Sequence, residues 1–232
     1  MKSLFRRGFE NDMWVKICGI RDVPTAKRVA DCRPDAIGLN FHPPSPRFVE
    51  LETAKEIART LPAPVHTVGV FVNPPLCEIA TVAYGLRLDF AQLHGDESPE
   101  FLAEVHEALP NIRLIRAWRM GPEGLDDWAR YLDRCRELGV PISGCLLDAR
   151  VEGIYGGSGK TVAWDVVLRD YQSEAWPRLI LAGGLSPRNI SQAIKAVRPW
   201  GVDVASGVES SPSVKDPELV REFITSARQV AD

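Results

Sequence analysis

The chain has 232 residues, 45% of them hydrophobic and 25% charged, with a formal net charge of −3, a length that α/β barrels occupy as one domain. Lysine and arginine are scattered along it, so there is no basic stripe to neutralise a nucleic-acid backbone, and no apolar run is long enough to cross a bilayer. Five cysteines, Cys18, Cys32, Cys77, Cys135 and Cys145, form no Cys-x-x-Cys pair and lie mostly in apolar segments, which argues against a disulfide framework or a zinc site.

Arg6-Arg7 is followed by Gly8-Phe9-Glu10-Asn11-Asp12 rather than by the apolar run of an export signal. Residues 1–13 therefore read as an N-terminal extension, 14–232 as the catalytic domain, and the protein as cytoplasmic. From Trp14 onward, short β-branched runs alternate with longer segments of helical periodicity. The predicted strands are Trp14–Cys18, Asp35–Asn40, His66–Val72, Leu88–His94, Ile112–Trp118, Ser143–Asp148, Arg178–Ala182 and Gly201–Ala205. Helices are predicted to start near Asp22, Leu51, Pro74, Ser98, Gly124, Ala163, Pro187 and Asp216. Ser98-Pro99 and Ser186-Pro187 each place a capping hydroxyl before a proline at the first helical position.

Eight strands, each followed by a helix and with no linker dividing them, fit an α/β fold: a single (β/α)8 TIM barrel with a parallel eight-stranded core. A doubly wound sheet needs Gly-x-Gly-x-x-Gly after its first strand, where Gly19 stands alone. Because helices cover the outside of a barrel, the apolar positions fix which side chains face out. Val15, Ile17, Ala91, Leu93, Cys145 and Leu147 are then outward, which turns Lys16, Cys18, Phe90, Gln92, His94, Gly144, Leu146 and Asp148 inward. A slip of one residue would bury polar groups under the helices.

Cys18, His94 and Asp148 are each the last residue of a predicted strand, and barrel active sites are built at that end. Cys18 is followed by Gly19, which leaves the sulfur accessible; the plain alternative is a small buried hydrophobe. A thiol acting as a base needs its pKa lowered; inward Lys16 is a positive charge nearby, and the sequence leaves open whether it acts on the thiol. Asp148 ends a hydrophobic strand, where burial favours a retained proton, or else it accepts from neighbouring backbone amides. A thiol and a carboxyl at one mouth suit proton transfer beside a carbonyl or imine. Gly183-Gly184 and Ser206-Gly207 follow the seventh and eighth strands, the two loops that commonly hold phosphate in such barrels, though glycines there also serve as turn formers. Gly156-Gly157-Ser158-Gly159-Lys160-Thr161 imitates a nucleotide-binding loop, but Ile154 stands where the first glycine is required. It reads as a glycine-rich lid, not an ATP site. Arg47, in a Pro-rich loop, is suited to a carboxylate or is a solvated surface charge. His94 is either a site residue or a hydrogen-bonded structural histidine.

Lys16-Ile17-Cys18-Gly19, Ser45-Pro46-Arg47-Phe48-Val49, Gly69-Val70-Phe71-Val72-Asn73, Gln92-Leu93-His94-Gly95-Asp96-Glu97, Leu147-Asp148, Gly156–Lys160, Leu181–Leu185, Val202-Asp203-Val204 and Ser206-Gly207-Val208-Glu209 follow one another as a series. In motif and order that series resembles the phosphoribosylanthranilate isomerase family of tryptophan biosynthesis, over nearly everything after residue 13. The resemblance implies an Amadori rearrangement of N-(5-phosphoribosyl)anthranilate to 1-(2-carboxyphenylamino)-1-deoxyribulose 5-phosphate, without metal or organic cofactor. It implies Cys18 as general base and Asp148 as general acid, with Arg47, Gln92 and His94 binding substrate and Arg47 holding the anthranilate carboxylate. Gly183, Gly184, Asp203, Ala205, Ser206 and Gly207 match the phosphate site. The implied partner is a small phosphosugar, with neither nucleic acid nor membrane, on a monomer or homodimer. Three positions depart from the family pattern: Ala205 where serine is usual, Pro44 where lysine is common and Ser213 where glycine is common. The competing readings are a non-catalytic phosphate-binding barrel and a sugar-phosphate isomerase of histidine synthesis, which would have a pair of aspartates where this chain has Cys18.

Overall fold

A computed structural model describes residues 13–120, 124–149 and 163–230. Eight parallel strands close into a barrel in sequence order, with β8 hydrogen-bonded back to β1. They are β1 (Trp14–Cys18), β2 (Ala36–Asn40), β3 (His66–Phe71), β4 (Phe90–Leu93), β5 (Arg113–Met120), β6 (Ile142–Ala149), β7 (Arg178–Leu181) and β8 (Gly201–Val204). The helices between and after them are α1 (Val23–Asp31), α2 (Leu51–Thr60), α3 (Leu76–Leu86), α4 (Pro99–Ala108), α5 (Asp126–Glu137), α6 (Trp164–Asp170), α7 (Ile190–Val197) and α8 (Pro217–Gln229). A short 3-10 turn, Ser206–Val208, and an antiparallel hairpin, β9 (Glu209–Ser211) with β10 (Val214–Lys215), follow β8. Neither was expected from the sequence.

The core divides as the strand parity requires. Val15, Ile17, Ala91, Leu93, Cys145 and Leu147 pack with the helices in one large cluster. A smaller cluster fills the barrel interior, with Trp14, Ala36, Val68, Phe90, Ile115 and Leu146 among its members. Its floor is aromatic: Trp14 stacks on Trp200 with ring centroids 5.2 Å apart, and the Arg178 guanidinium lies 4.7 Å from the Trp200 ring. The opposite, C-terminal mouth, where barrel active sites are built, lies above this packed interior.

Several ends differ from expectation. Asp35 belongs to the turn before β2, where its Oδ2 accepts from the Val15 amide at 2.8 Å. β4 is shorter at both ends, so His94 lies one residue beyond it, although its amide still donates to the Phe71 carbonyl at 2.8 Å. Asp148 is the penultimate residue of β6, not the last. Ser98 caps α4 as predicted, accepting from Phe101 N at 3.2 Å, but Ser186 caps nothing. Instead Asn189 folds the 186–189 turn back, accepting from Ser186 N at 2.8 Å and donating to Gly184 O at 2.9 Å, and α7 begins at Ile190. The glycine-rich segment Gly156–Thr161, read from sequence as a lid, and nearly all of the N-terminal extension lie outside the described residues.

Candidate active site

Cys18, His94 and Asp148 come together at the mouth, all turned inward, because each follows Trp14, Phe90 or Leu146 of the interior cluster by an even number of residues, Cys18 and Asp148 within their strands and His94 directly after β4. All three are buried. Cys18 and Asp148 sit on strands three places apart around the closed ring, so they face the barrel axis from different sides.

Gly38, paired with Cys18 across β1 and β2, makes the space that the sulfur occupies: a Cβ at position 38 would stand 2.8 Å from Cys18 Sγ and 3.1 Å from Lys16 Cε. Lys16 thus lies directly beneath the thiol, with its Nζ donating to Asp203 Oδ1 at 2.8 Å in the barrel interior. The sequence reading left open whether Lys16 lowers the thiol pKa. Burial pushes the Cys18 thiol above its ordinary value, the Lys16 charge opposes that rise, Asp203 adds to it, and Lys215 opposes it again; burial prevails.

On the other side, Gln92 Nε2 is 2.9 Å from His94 Nδ1. With the amide nitrogen donating, His94 carries its proton on Nε2. That nitrogen has no hydrogen-bond partner among the described residues and stands 3.6 Å from Asp148 Oδ2, beyond hydrogen-bond reach. The predicted pair of inward residues on β4 is therefore one unit: Gln92 fixes the tautomer and His94 presents an N–H toward the carboxyl group.

Arg47 lies across Gly19, next in the chain after Cys18. A Cβ there would be 2.5 Å from Arg47 Cδ, and Gly19 also has a φ of +84°, so glycine is required twice over. Arg47 is not a solvated surface charge. Its Nε and Nη2 form a bidentate pair with Glu209 at 2.8 and 2.9 Å, and Lys215 Nζ reaches the same carboxylate at 2.6 Å. Burial pushes Glu209 up, but hydrogen bonds from Arg47, Lys215 and the Ser213 amide, with the Lys215 charge, hold it down at about 2. It is therefore held ionised at neutral pH.

The two glycine-bearing loops lock together. Gly183 and Gly184 have φ of +81° and +61°, and among the described residues their amides donate to no protein acceptor. Gly207 packs so closely on the other loop that an added Cβ would lie 1.8 Å from Leu185 O. Gly207→Ala is thus expected to force the loops apart, costing about 1–3 kcal/mol. Unchanged thermal melting would show that the loops are not joined in this way. Asp203, grouped with the phosphate site by resemblance, has its carboxylate on Lys16 inside the barrel, where an anionic ligand would be repelled by it. Ala205 offers no hydroxyl, and its carbonyl accepts from Lys215 Nζ at 2.8 Å. Ser213 adopts φ +66°, the conformation that favours glycine, and its hydroxyl donates to Pro46 O at 2.8 Å.

The sequence did not point to Glu209 and Lys215 as partners of Arg47, nor to a second buried group. Arg116 faces outward from β5 beneath α5, contrary to the expectation that this surface is apolar. Its Nη1 donates to Leu93 O and Ala117 O at 2.9 and 2.6 Å, its Nη2 to Gly95 O at 3.1 Å, and Nη1 lies 3.3 Å from Glu97 Oε2. Glu97 in turn accepts from the amides of Asn73 and Gly95 at 2.8 and 2.9 Å, so the loop carrying His94 is held from below. The acidic residue closing Gln92–Glu97 and a lone arginine at outward parity were the available signals. Among the described residues, no group of His, Cys, Asp or Glu is arranged to hold a metal ion, and no helix is long and apolar enough to cross a membrane.

A family model described as N-(5'phosphoribosyl)anthranilate (PRA) isomerase matches residues 15–226. The chain belongs to the phosphoribosylanthranilate isomerase family. It is an isomerase of the TIM-barrel class, 44% identical over 215 residues to a Geotalea daltonii protein named N-(5'-phosphoribosyl)anthranilate isomerase, spanning 93% of this chain and 96% of that relative. A Thermotoga neapolitana protein of the same name is 45% identical over 214 residues, spanning 92% and 98%. The crystal structure of the Thermotoga maritima phosphoribosyl anthranilate isomerase superposes with a TM-score of 0.81 at 37% identity, covering 94% of this chain and 99% of the other. Another phosphoribosyl anthranilate isomerase structure, in complex with reduced 1-(o-carboxyphenylamino)-1-deoxyribulose 5-phosphate, gives 0.78 at 34% identity over the same shares.

Proposed function

We propose that this isomerase converts N-(5-phosphoribosyl)anthranilate to 1-(2-carboxyphenylamino)-1-deoxyribulose 5-phosphate in the cytoplasm, with Asp148 as general acid and Cys18 as general base. The observation that carries this reading is the convergence of a thiol and a carboxyl group on one mouth, in a chain of this family. Asp148 protonates the ribose ring oxygen as the ring opens to a Schiff base. Cys18, as thiolate, then removes the proton at C2, and the resulting enolamine becomes the ketone. His94 holds its Nε2–H toward Asp148 and the opening ring, oriented by Gln92. The amides of Gly183, Gly184, Ser206 and Gly207 take the phosphate. Arg47 takes the anthranilate carboxylate: Glu209 uses two of its five N–H donors, leaving the rest for the ligand.

Decay of the fluorescence of the anthranilate adduct in the presence of purified protein tests the activity, and complementation of a tryptophan auxotroph lacking this step tests it in cells. Phosphosugar binding without decay would instead point to a non-catalytic barrel. The thiol sets a further expectation. Because its pKa is raised, Cys18 is largely protonated at neutral pH and the thiolate fraction grows with alkalinity. Below that pKa, the rate of Cys18 alkylation by iodoacetamide, measured against Cys18→Ala, is expected to rise about tenfold per pH unit, and a flat alkylation rate over that range would contradict a raised thiol. Full turnover in Cys18→Ala would remove Cys18 from the role of base.

A further inference from the structure

A buried carboxylate is a poor neighbour for a ligand carrying both a phosphate and a carboxylate, yet Glu209 sits beside the proposed carboxylate site with its side chain only 4% exposed. The contacts it makes explain its presence. Glu209 grips the Nε and Nη2 edge of Arg47 in the fork-to-fork geometry that fixes a guanidinium plane. The same carboxylate accepts from Lys215 Nζ, which also donates to Ala205 O beside the 206–207 turn, and from the Ser213 amide at 3.0 Å. The Ser213 hydroxyl closes the circuit by donating to Pro46 O, in the chain next to Arg47. One anion and two cations leave a net positive cluster, so the acid does not cancel attraction for an anionic ligand.

We propose that Glu209 is the positioning residue for Arg47, holding its guanidinium plane at the carboxylate end of the substrate site. This rests on the reading of Arg47 as the carboxylate ligand. Charge alone and positioning make opposite forecasts. Removing a negative charge from Glu209 would strengthen binding of an anionic substrate if only electrostatics mattered, whereas loss of the fork lets the guanidinium rotate and weakens binding.

The test is steady-state kinetics of adduct decay with the full chain and the variants Glu209→Gln, Arg47→Ala, Glu209→Gln/Arg47→Ala and Glu209→Gln/Lys215→Met. Glu209→Gln is expected to raise KM about tenfold, at the low end of the range seen when the outer partner of a ligating residue is lost, with kcat within about threefold. The double variant with Arg47→Ala is expected to be no worse than Arg47→Ala alone, since both changes abolish one contact. Adding Lys215→Met, which restores the charge balance without restoring the fork, is expected to leave KM high. An unchanged or lowered KM in Glu209→Gln alongside a raised KM in Arg47→Ala overturns the proposal, as does additivity in the double variant or recovery with Lys215→Met. A normal KM in Arg47→Ala would instead overturn the reading of Arg47 itself. Should Glu209→Gln not fold, Glu209→Asp keeps a charge for Lys215 but falls one methylene short of Arg47; it too is expected to raise KM, and a wild-type value would count against positioning.

Discussion

Asp148→Asn is expected to lower kcat by about 10²–10⁴-fold, the usual contribution of a positioned general acid, while KM changes little. Asparagine keeps the volume and the acceptor oxygen of the aspartate but has no proton of carboxyl acidity to give the leaving ring oxygen. Asp148 is 3% exposed, so solvent is badly placed to deliver that proton in its stead. Cys18→Ala should lose rate on a similar scale by abolishing abstraction at C2. Single-turnover fluorescence decay separates chemistry from binding in both variants, and a thermal melt checks that each is folded. Turnover within threefold of wild type in Asp148→Asn would falsify its assignment as the acid.

The largest effect on stability is expected from Lys16→Met. Lys16 is fully buried and its ammonium group pairs with Asp203, so removing the cation strands a carboxylate in the barrel interior. Breaking one side of such a pair costs about 3–5 kcal/mol, whereas exchanging both members for neutral groups is often tolerated. Lys16→Met/Asp203→Asn should therefore recover most of the loss in urea unfolding; equal destabilisation in the single and double variants would mean that packing, not the stranded charge, is responsible. Burial pulls Lys16 down, but Asp203 and Cys18 hold its pKa above 10.5. The stabilisation is thus complete below that ordinary value and fades only as the pH climbs through the folded one. Removing Lys16 also removes a charge opposing the upward shift of the thiol, which should move the rise in Cys18 alkylation rate to still higher pH.

The fold was legible because two periodicities, two residues in strands and about 3.6 in helices, alternate along the chain without interruption. The same parity, read from the sequence alone, turns Cys18, Gln92, His94 and Asp148 to the inside. Strand ends were less legible, since they are decided by partners elsewhere: Asp35 leaves β2 to receive the Val15 amide, and the Ser186 turn is set by Asn189 reaching back to Gly184. The partners of the site residues were not legible at all. Arg47 and Glu209 are 162 residues apart, and only closure of the barrel makes them neighbours. Arg116 broke the parity rule because four carbonyl and carboxylate oxygens around it replace the water it gives up. The Ser213 departure has a local explanation in its bond to Pro46, while nothing in the structure explains Pro44.

The stacked rings of Trp14 and Trp200 form a clasp across the joint between the first and last strands of the barrel. Such a joint has high contact order, and loops this long are slow to close. Until β8 arrives, β1 and β7 present open edges that invite pairing with other chains. The clasp lies at the end remote from the chemistry, so weakening it should show first as slower refolding and greater aggregation, with catalysis by the molecules that do close left intact.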